Sequence, residues 1–220
     1  MERAGDAFIW PVRDPQWFGK LAVIALILLI PVVGAINGLG WMLATLDRLR
    51  AGDETLAPGN ISYIGRGARL FAVQLAYTIG VGLIALVLYL PALLIAISQG
   101  RGTGNTGLIV LSLFLNVLAF GVTTIGGLAL NFATPAVVLA VDKGGIAGGL
   151  AVRGVVRRCL EKPTNTLIAG LMLIAAGFIS SLGAIACGIG ILFTAAYALS
   201  VQAWVFRSFE LGSESREPAS

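Results

Sequence analysis

The stretch Leu70–Ser98 reads LFAVQLAYTIGVGLIALVLYLPALLIAIS, and no charged residue interrupts it. About 20 apolar residues in an α-helix cross a hydrocarbon core roughly 30 Å thick, so this tract alone is long enough to span a bilayer. Three more tracts are equally free of charge: Leu21–Leu46, Gly102–Val141 and Pro163–Phe206. Over 220 residues the chain is 57% apolar and 12% charged, with a mean hydropathy of +0.91. A soluble domain carries about 25% charged residues, so half the charge needed for a water-facing surface is missing. The fold class that follows is all-α: a polytopic transmembrane helical bundle of about six membrane segments. A soluble enzyme, a disordered chain and a nucleic-acid-binding module are excluded together.

The net charge is +4, and the positions of the basic residues carry more information than the sum. Arg3, Arg13 and Lys20 precede the first tract, and Arg48, Arg50, Arg66 and Arg69 flank the next polar stretch. Lys143, Arg153, Arg157, Arg158 and Lys162 fill the longest polar stretch, Arg207 and Arg216 the end, and Arg101 stands alone among Gly, Thr and Asn. Basic loops stay in the cytoplasm. The expected topology therefore puts both termini inside, the segment around Arg101 outside, and the protein in a prokaryotic cytoplasmic (inner) membrane. This parity requires the first tract to turn back. Ile30-Pro31-Val32-Val33-Gly34 supplies the interruption, because proline removes a backbone donor and glycine tolerates a bend. Two short helices, about Pro15–Ile30 and Ala35–Arg50, form a hairpin or a re-entrant pair on this reading. The rival is one proline-kinked helix with Arg3, Arg13 and Lys20 outside. Leu70–Ser98 then runs outward and Gly107–Val141 returns. Thr164–Ala184 and Ile191–Arg207 make a second hairpin around Cys187-Gly188-Ile189-Gly190.

Asp14 before Pro15 reads as a helix N-cap with proline in the first turn, and Pro163-Thr164-Asn165 offers similar chemistry. The shared layout follows from two hairpins starting at one face and does not require duplication. The organisation expected is a single transmembrane domain over 1–210 and a polar, disordered cytoplasmic tail over 211–220. Within the domain, 1–16 is an interfacial segment carrying Phe8 and Trp10, continued by Trp17 and Phe18. The first apolar run begins only at Leu21, after Glu2, Asp6 and Asp14, so no cleaved signal peptide is expected. Residues 144–162 form a basic amphipathic segment in which Ile146, Leu150, Val156 and Leu160 recur at helical spacing.

The phrase Ala7-Phe8-Ile9-Trp10-Pro11-Val12-Arg13-Asp14-Pro15-Gln16-Trp17, then Lys20, the break at Pro31 and the exit Leu46-Asp47-Arg48-Leu49-Arg50, resembles an uncharacterised prokaryotic membrane family, domain of unknown function 4013. Tyr89-Leu90-Pro91-Ala92 is similar as well, and the likeness extends to about Arg207. The plain stretch Asp53–Ser62 departs from it, since that family has an acidic, tryptophan-rich loop there. The resemblance implies the membrane fold and no activity.

Catalytic residues are not expected. Histidine is absent, which removes the usual general base near neutral pH and the commonest metal ligand. Cys159 and Cys187 fall on opposite faces of the expected topology and read as two free thiols. No metal or other cofactor is implied. Every charge is expected at an interface, with Asp47 beside Arg48 and Arg50 at a helix exit, so no buried carboxylate offers a proton relay. Asn116 and Asn131, fifteen residues apart, could face one interior and line a polar cavity, or serve as interhelical hydrogen-bonding groups. Gly34 and Gly38 have the small-xxx-small spacing of close helix packing. Arg153, Arg157 and Arg158 suit contact with anionic lipid or a partner.

The expected function is a non-enzymatic scaffold or accessory subunit whose partners are membrane lipids and other membrane subunits or a second copy, with no nucleic acid. The alternative is a channel or uncoupled transporter for a small or apolar solute. A membrane-embedded enzyme is disfavoured.

Overall fold

A computed structural model describes residues 5–99, 105–183 and 189–214. The described residues are all helical or in short connections: α1 Asp6–Ile9, a 3-10 turn Trp10–Arg13, α2 Trp17–Leu28, α3 Val33–Arg50, α4 Ile64–Gln99, α5 Thr106–Leu150, α6 Val152–Glu161, α7 Pro163–Leu182 and α8 Ile189–Glu214. The protein is thus an all-α, polytopic helical bundle. Ile64–Ser98, Thr106–Leu150 and Pro163–Leu182 are long and apolar enough to cross a membrane. α2, with 12 residues, is about 18 Å long at 1.5 Å per residue, too short to do so alone. Arg3, Arg101, Cys187 and Arg216 lie outside the described residues.

The chain forms two compact units, residues 1–73 with 131–220, and residues 74–130. In the first unit the break at Pro31 is a chain reversal and not a kink. The Val33 N–H donates to the Pro31 carbonyl at 2.7 Å, and Val32 sits at φ 65, ψ −59. That is a γ-turn of the rare, strained hand, on a β-branched residue. A Cβ on Gly34 would strike the Ile27 carbonyl oxygen and come within 2.7 Å of the Leu28 Cα, so only glycine lets α3 lie this close to α2. A Cβ on Gly38 would meet the ends of the Leu199 and Leu28 side chains at 3.0 and 3.3 Å. Further along α3, one on Gly67 would run into the Ile36 carbonyl oxygen and the Gly40 nitrogen, where α4 starts against the α3 backbone.

Between α3 and α4 the chain folds back into the core. Leu56 and Ala57 are buried with Trp10, Leu21, Ile24, Ala25, Trp41 and Ala196. Their backbone is held by side chains of neighbouring helices. Trp41 Nε1 donates to the Ala57 carbonyl (3.0 Å), Asn37 Nδ2 to the Asn60 carbonyl (2.8 Å), and the Ala57 N–H to Thr45 Oγ1 (3.3 Å). The stretch Asp53–Ser62, unremarkable in sequence, is therefore a structural part of the bundle. Part of the segment 1–16 packs into the same core. Ala7, Trp10 and Pro11 are buried, because Trp10 packs on Leu56 and its neighbours, while Ile9, Val12 and Phe18 remain exposed.

The amphipathic segment expected over 144–162 is not one helix. Gly145 takes φ 61, ψ −154, a region open essentially to glycine alone, and Ala151 breaks the chain again. What remains is α6, with Val155 buried and Val152, Val156 and Leu160 exposed. Pro91 and Pro135 are carried inside α4 and α5, and Pro163 opens α7 as expected. In the second unit, Gln74–Leu130, Ser112 Oγ donates across the helical pair to the Ala92 carbonyl at 2.8 Å. Its large apolar side chains are mostly exposed, Val87, Phe120 and Ile125 among them.

Candidate functional site

Charged residues gather where four helices of the first unit meet. Arg50, in the last turn of α3, donates from Nε and Nη2 to the two carboxylate oxygens of Glu210 at 2.8 and 3.0 Å. Its Nη1 reaches Asp142 Oδ2 at 2.6 Å and Asp47 Oδ1 at 3.1 Å. Arg66, in the first turn of α4, donates to the other Asp142 oxygen at 2.6 Å and also pairs with Asp47. Arg207 Nη1 lies 3.2 Å from Glu210. The lattice holds three carboxylates and three guanidiniums, so its formal charge is zero. The Glu210 side chain is 7% exposed and that of Asp142 13%. Arginine's rigid fork of donors suits it to such a junction.

These contacts correct the expectation that no carboxylate is buried. Asp142 belongs to α5 and Glu210 to α8, and both are withdrawn from solvent. Each is nevertheless held by two arginines, an arrangement that fastens α3, α4, α5 and α8 together. A third buried acid, Asp14, does not cap α2. Its Oδ1 accepts the Gln16 N–H (2.8 Å), and its Oδ2 accepts Lys20 Nζ (2.7 Å) and the Leu56 N–H (2.9 Å). Burial pushes this carboxyl up, but the Lys20 ammonium and the two backbone donors outweigh it and leave it below the usual range. Lys20 also donates to the Leu56 carbonyl at 2.9 Å, which ties the start of α2 to the folded-back segment.

Sequence-predicted residues fall in different places. Asn116 lines an open groove of about 400 Å³ in Gln74–Leu130 with Gly82, Ala85, Leu86, Tyr89, Ala119, Phe120 and Thr123. Its Nδ2 donates to the Ser112 carbonyl at 2.9 Å. Asn131 is not among that groove's lining residues, and its Oδ1 is buried without a partner among the described residues. The two therefore do not share that cavity. Arg153 and Arg157 line a shallow surface along α6, where Arg157 pairs with Glu161 at 3.3 Å, both exposed. Arg158 turns instead into a cleft with Lys143 and Lys162. Cys159 is a free thiol, half-buried, and burial pushes its pKa up.

Sequence reasoning missed Asp142, Glu210 and Asn37. A signal existed: Asn37 and Thr45 stand in an otherwise apolar helix, and Asp47 and Arg50 lie one turn apart. Among the described residues no three metal-ligating side chains gather at one point.

No curated protein and no solved structure matches the chain. A family model, described as protein of unknown function (DUF4013), matches residues 23–189. The match begins after the opening phrase 7–17, within α2, and covers the break at Pro31, α3, α4, α5, α6 and α7. Spanning well over half of the sequence, it shows that the chain belongs to the DUF4013 family.

Proposed function

We propose that the protein is a non-enzymatic membrane scaffold or accessory subunit that packs with other membrane helices. The groove in Gln74–Leu130 carries this reading. A Cβ on Gly82, which lines the groove, would meet nothing within 4 Å, and the same holds for Gly80, Gly121 and Gly127 in that unit. Small residues let transmembrane helices approach closely, and side-chain hydrogen bonds hold them. Here Gly82, Ala85 and Ala119 line the open groove with Asn116 and Tyr89, and neither the Asn116 amide oxygen nor the Tyr89 hydroxyl has a hydrogen-bond partner among the described residues. A helix laid in the groove would supply both the packing and the missing donors. The charge-neutral lattice supports the same role, because it fixes four helices without leaving an unpaired acid or base in their midst.

The test is the oligomeric state and co-purifying partners of the full chain in mild detergent, compared with Gly82→Leu. That substitution enters open space, so the melting temperature should hold while association falls at least tenfold. A monodisperse wild-type monomer that passes small solutes in liposomes would replace this reading with the channel or uncoupled transporter.

A further inference from the structure

Where α5, the end of α6 and α8 converge in the first unit, they enclose a cleft of about 180 Å³ lined by Leu139, Lys143, Arg158, Glu161, Lys162, Phe209 and Glu210. Leu139 and Phe209 are buried, each 4% exposed, and give the cleft an apolar floor. Three cations and two carboxylates share the rest of its lining, but the acids are engaged elsewhere: Glu210 with Arg50 and Arg207, Glu161 with Arg157. Lys143 and Arg158 have no ion-pair partner among the described residues. Lys162 Nζ donates to the Gly212 carbonyl, an interaction that leaves its charge uncompensated and two of its donors free. The cleft is therefore electropositive, with donors from three chain positions.

We infer that this cleft binds the phosphate of an anionic glycerophospholipid, with Arg158 and Lys143 as the main ligands and Lys162 assisting. Arg158 presents a planar fork matched to phosphate oxygens, and the lysines add point charges. The apolar floor separates a lipid from free phosphate. A free ion gains nothing from Leu139 and Phe209, whereas the glycerol and first acyl carbons of a lipid would cover them. The neighbouring surface is prepared for a bilayer, since Val152, Val156 and Leu160 form one exposed apolar strip on α6 beside Arg153 and Arg157, the pattern of a helix lying in the headgroup layer. This inference rests on membrane insertion and is independent of the scaffold reading.

The experiment uses the full chain in neutral detergent, exposed to mixed micelles containing phosphatidylcholine and phosphatidylglycerol at 4:1. Native mass spectrometry then counts retained lipids. One phosphatidylglycerol per chain should be retained in preference to phosphatidylcholine, and retention should fall at least tenfold in the double variant Lys143→Gln, Arg158→Gln. Arg158→Lys should retain part of it. Arg153→Gln with Arg157→Gln should keep the single bound lipid while weakening adhesion to anionic vesicles. Equal retention of the two lipids by the wild type overturns the proposal whether or not any variant folds. Displacement of the bound lipid by millimolar inorganic phosphate as readily as by phosphatidylglycerol overturns the lipid assignment and makes the cleft a phosphate site.

Discussion

Replacing Arg50 by methionine tests whether the ion lattice holds the bundle together. The wild-type guanidinium makes four charge-assisted contacts, at 2.6, 2.8, 3.0 and 3.1 Å, to acids on α3, α5 and α8. Removing one partner from a buried ion pair costs about 3–5 kcal/mol, because the other charge is left in a poor solvent. Here the orphaning is partial. Glu210 keeps Arg207 at 3.2 Å, and Asp142 keeps Arg66 at 2.6 Å. The lower end, about 3 kcal/mol, is therefore expected. For a chain of this size, 1 kcal/mol moves the melting temperature by roughly 2–4 °C, which gives a fall of about 6–12 °C. Tryptophan fluorescence during a thermal scan in detergent is the assay, since Trp10 and Trp41 are buried in the same unit. The double variant Arg50→Met, Glu210→Leu removes both charges of the bidentate pair and should recover part of the loss. Arg157→Gln, which breaks an exposed pair, should cost under about 1 kcal/mol. An Arg50→Met protein melting within about 2 °C of wild type, or a double variant no better than the sum of its singles, would refute the reasoning.

Three further outcomes are expected. Asp14 titrates below its usual range when folded, so the native state binds its proton less tightly than the unfolded one. The stabilisation is therefore complete above about pH 4 and disappears as pH falls through the lower native value. Thermal scans from pH 7 to 3 should show that acid limb, and Asp14→Asn should flatten it while lowering stability at pH 7 by about 3 kcal/mol, since Lys20 loses its counter-charge. Gly34→Ala sets a methyl against the backbone of α2 and should cost about 1–3 kcal/mol, whereas Gly80→Ala, entering open space within α4, should gain about 0.5–1 kcal/mol; the same melting assay separates them. Val32→Gly relieves a side chain held at φ 65 on an exposed corner. It should raise the melting temperature by a few degrees, in line with about 1 kcal/mol of released strain, and a fall instead would mean that the Val32 side chain holds the turn.

The spans were legible because a run such as Leu70–Ser98 needs no tertiary knowledge: its hydropathy and length decide the class. The reversal at Pro31–Gly34 was legible as punctuation, since proline and glycine break helices locally. Its form was not, because nothing in the propensities of valine points to a positive φ at Val32. The ion lattice was hidden for a different reason. Arg50 lies 92 residues from Asp142 and 160 from Glu210, and the rule that orients membrane helices counts bases and ignores acids. Arg50, Arg66 and Arg207 consequently read as topology signals when each is neutralised by a carboxylate. Asp53–Ser62 looked plain because its burial depends on backbone groups meeting Asn37, Trp41, Thr45 and Asp14. Of the predicted site residues, Arg158 was named for its place beside Arg157 on α6, but Lys143 and Lys162 line one cleft with it only through the fold.

The pairing also changes where the protein's positive charge acts. Among the described basic residues, Arg13, Lys20, Arg48, Arg50, Arg66, Arg157 and Arg207 each have an acid within 4 Å. A neutral pair projects little field beyond its own neighbourhood, and at physiological salt an exposed charge is screened over about 8 Å. The basic residues left without an ion pair are Arg69, Lys143, Arg153, Arg158 and Lys162, and all but the first lie on the stretch from the end of α5 to the start of α7. Among the described residues, the positive charge without an ion pair is thus not spread over the basic face that the sequence suggests. Apart from Arg69 it lies around one helix junction, beside the exposed strip Val152, Val156 and Leu160. The lattice around Arg50 and the cleft around Arg158 share Glu210, which faces both. Because Arg50 and Arg207 hold that carboxylate, it does not cancel the charge of Lys143 and Arg158, so the contact that fastens the helices is also the one that leaves the cleft cationic.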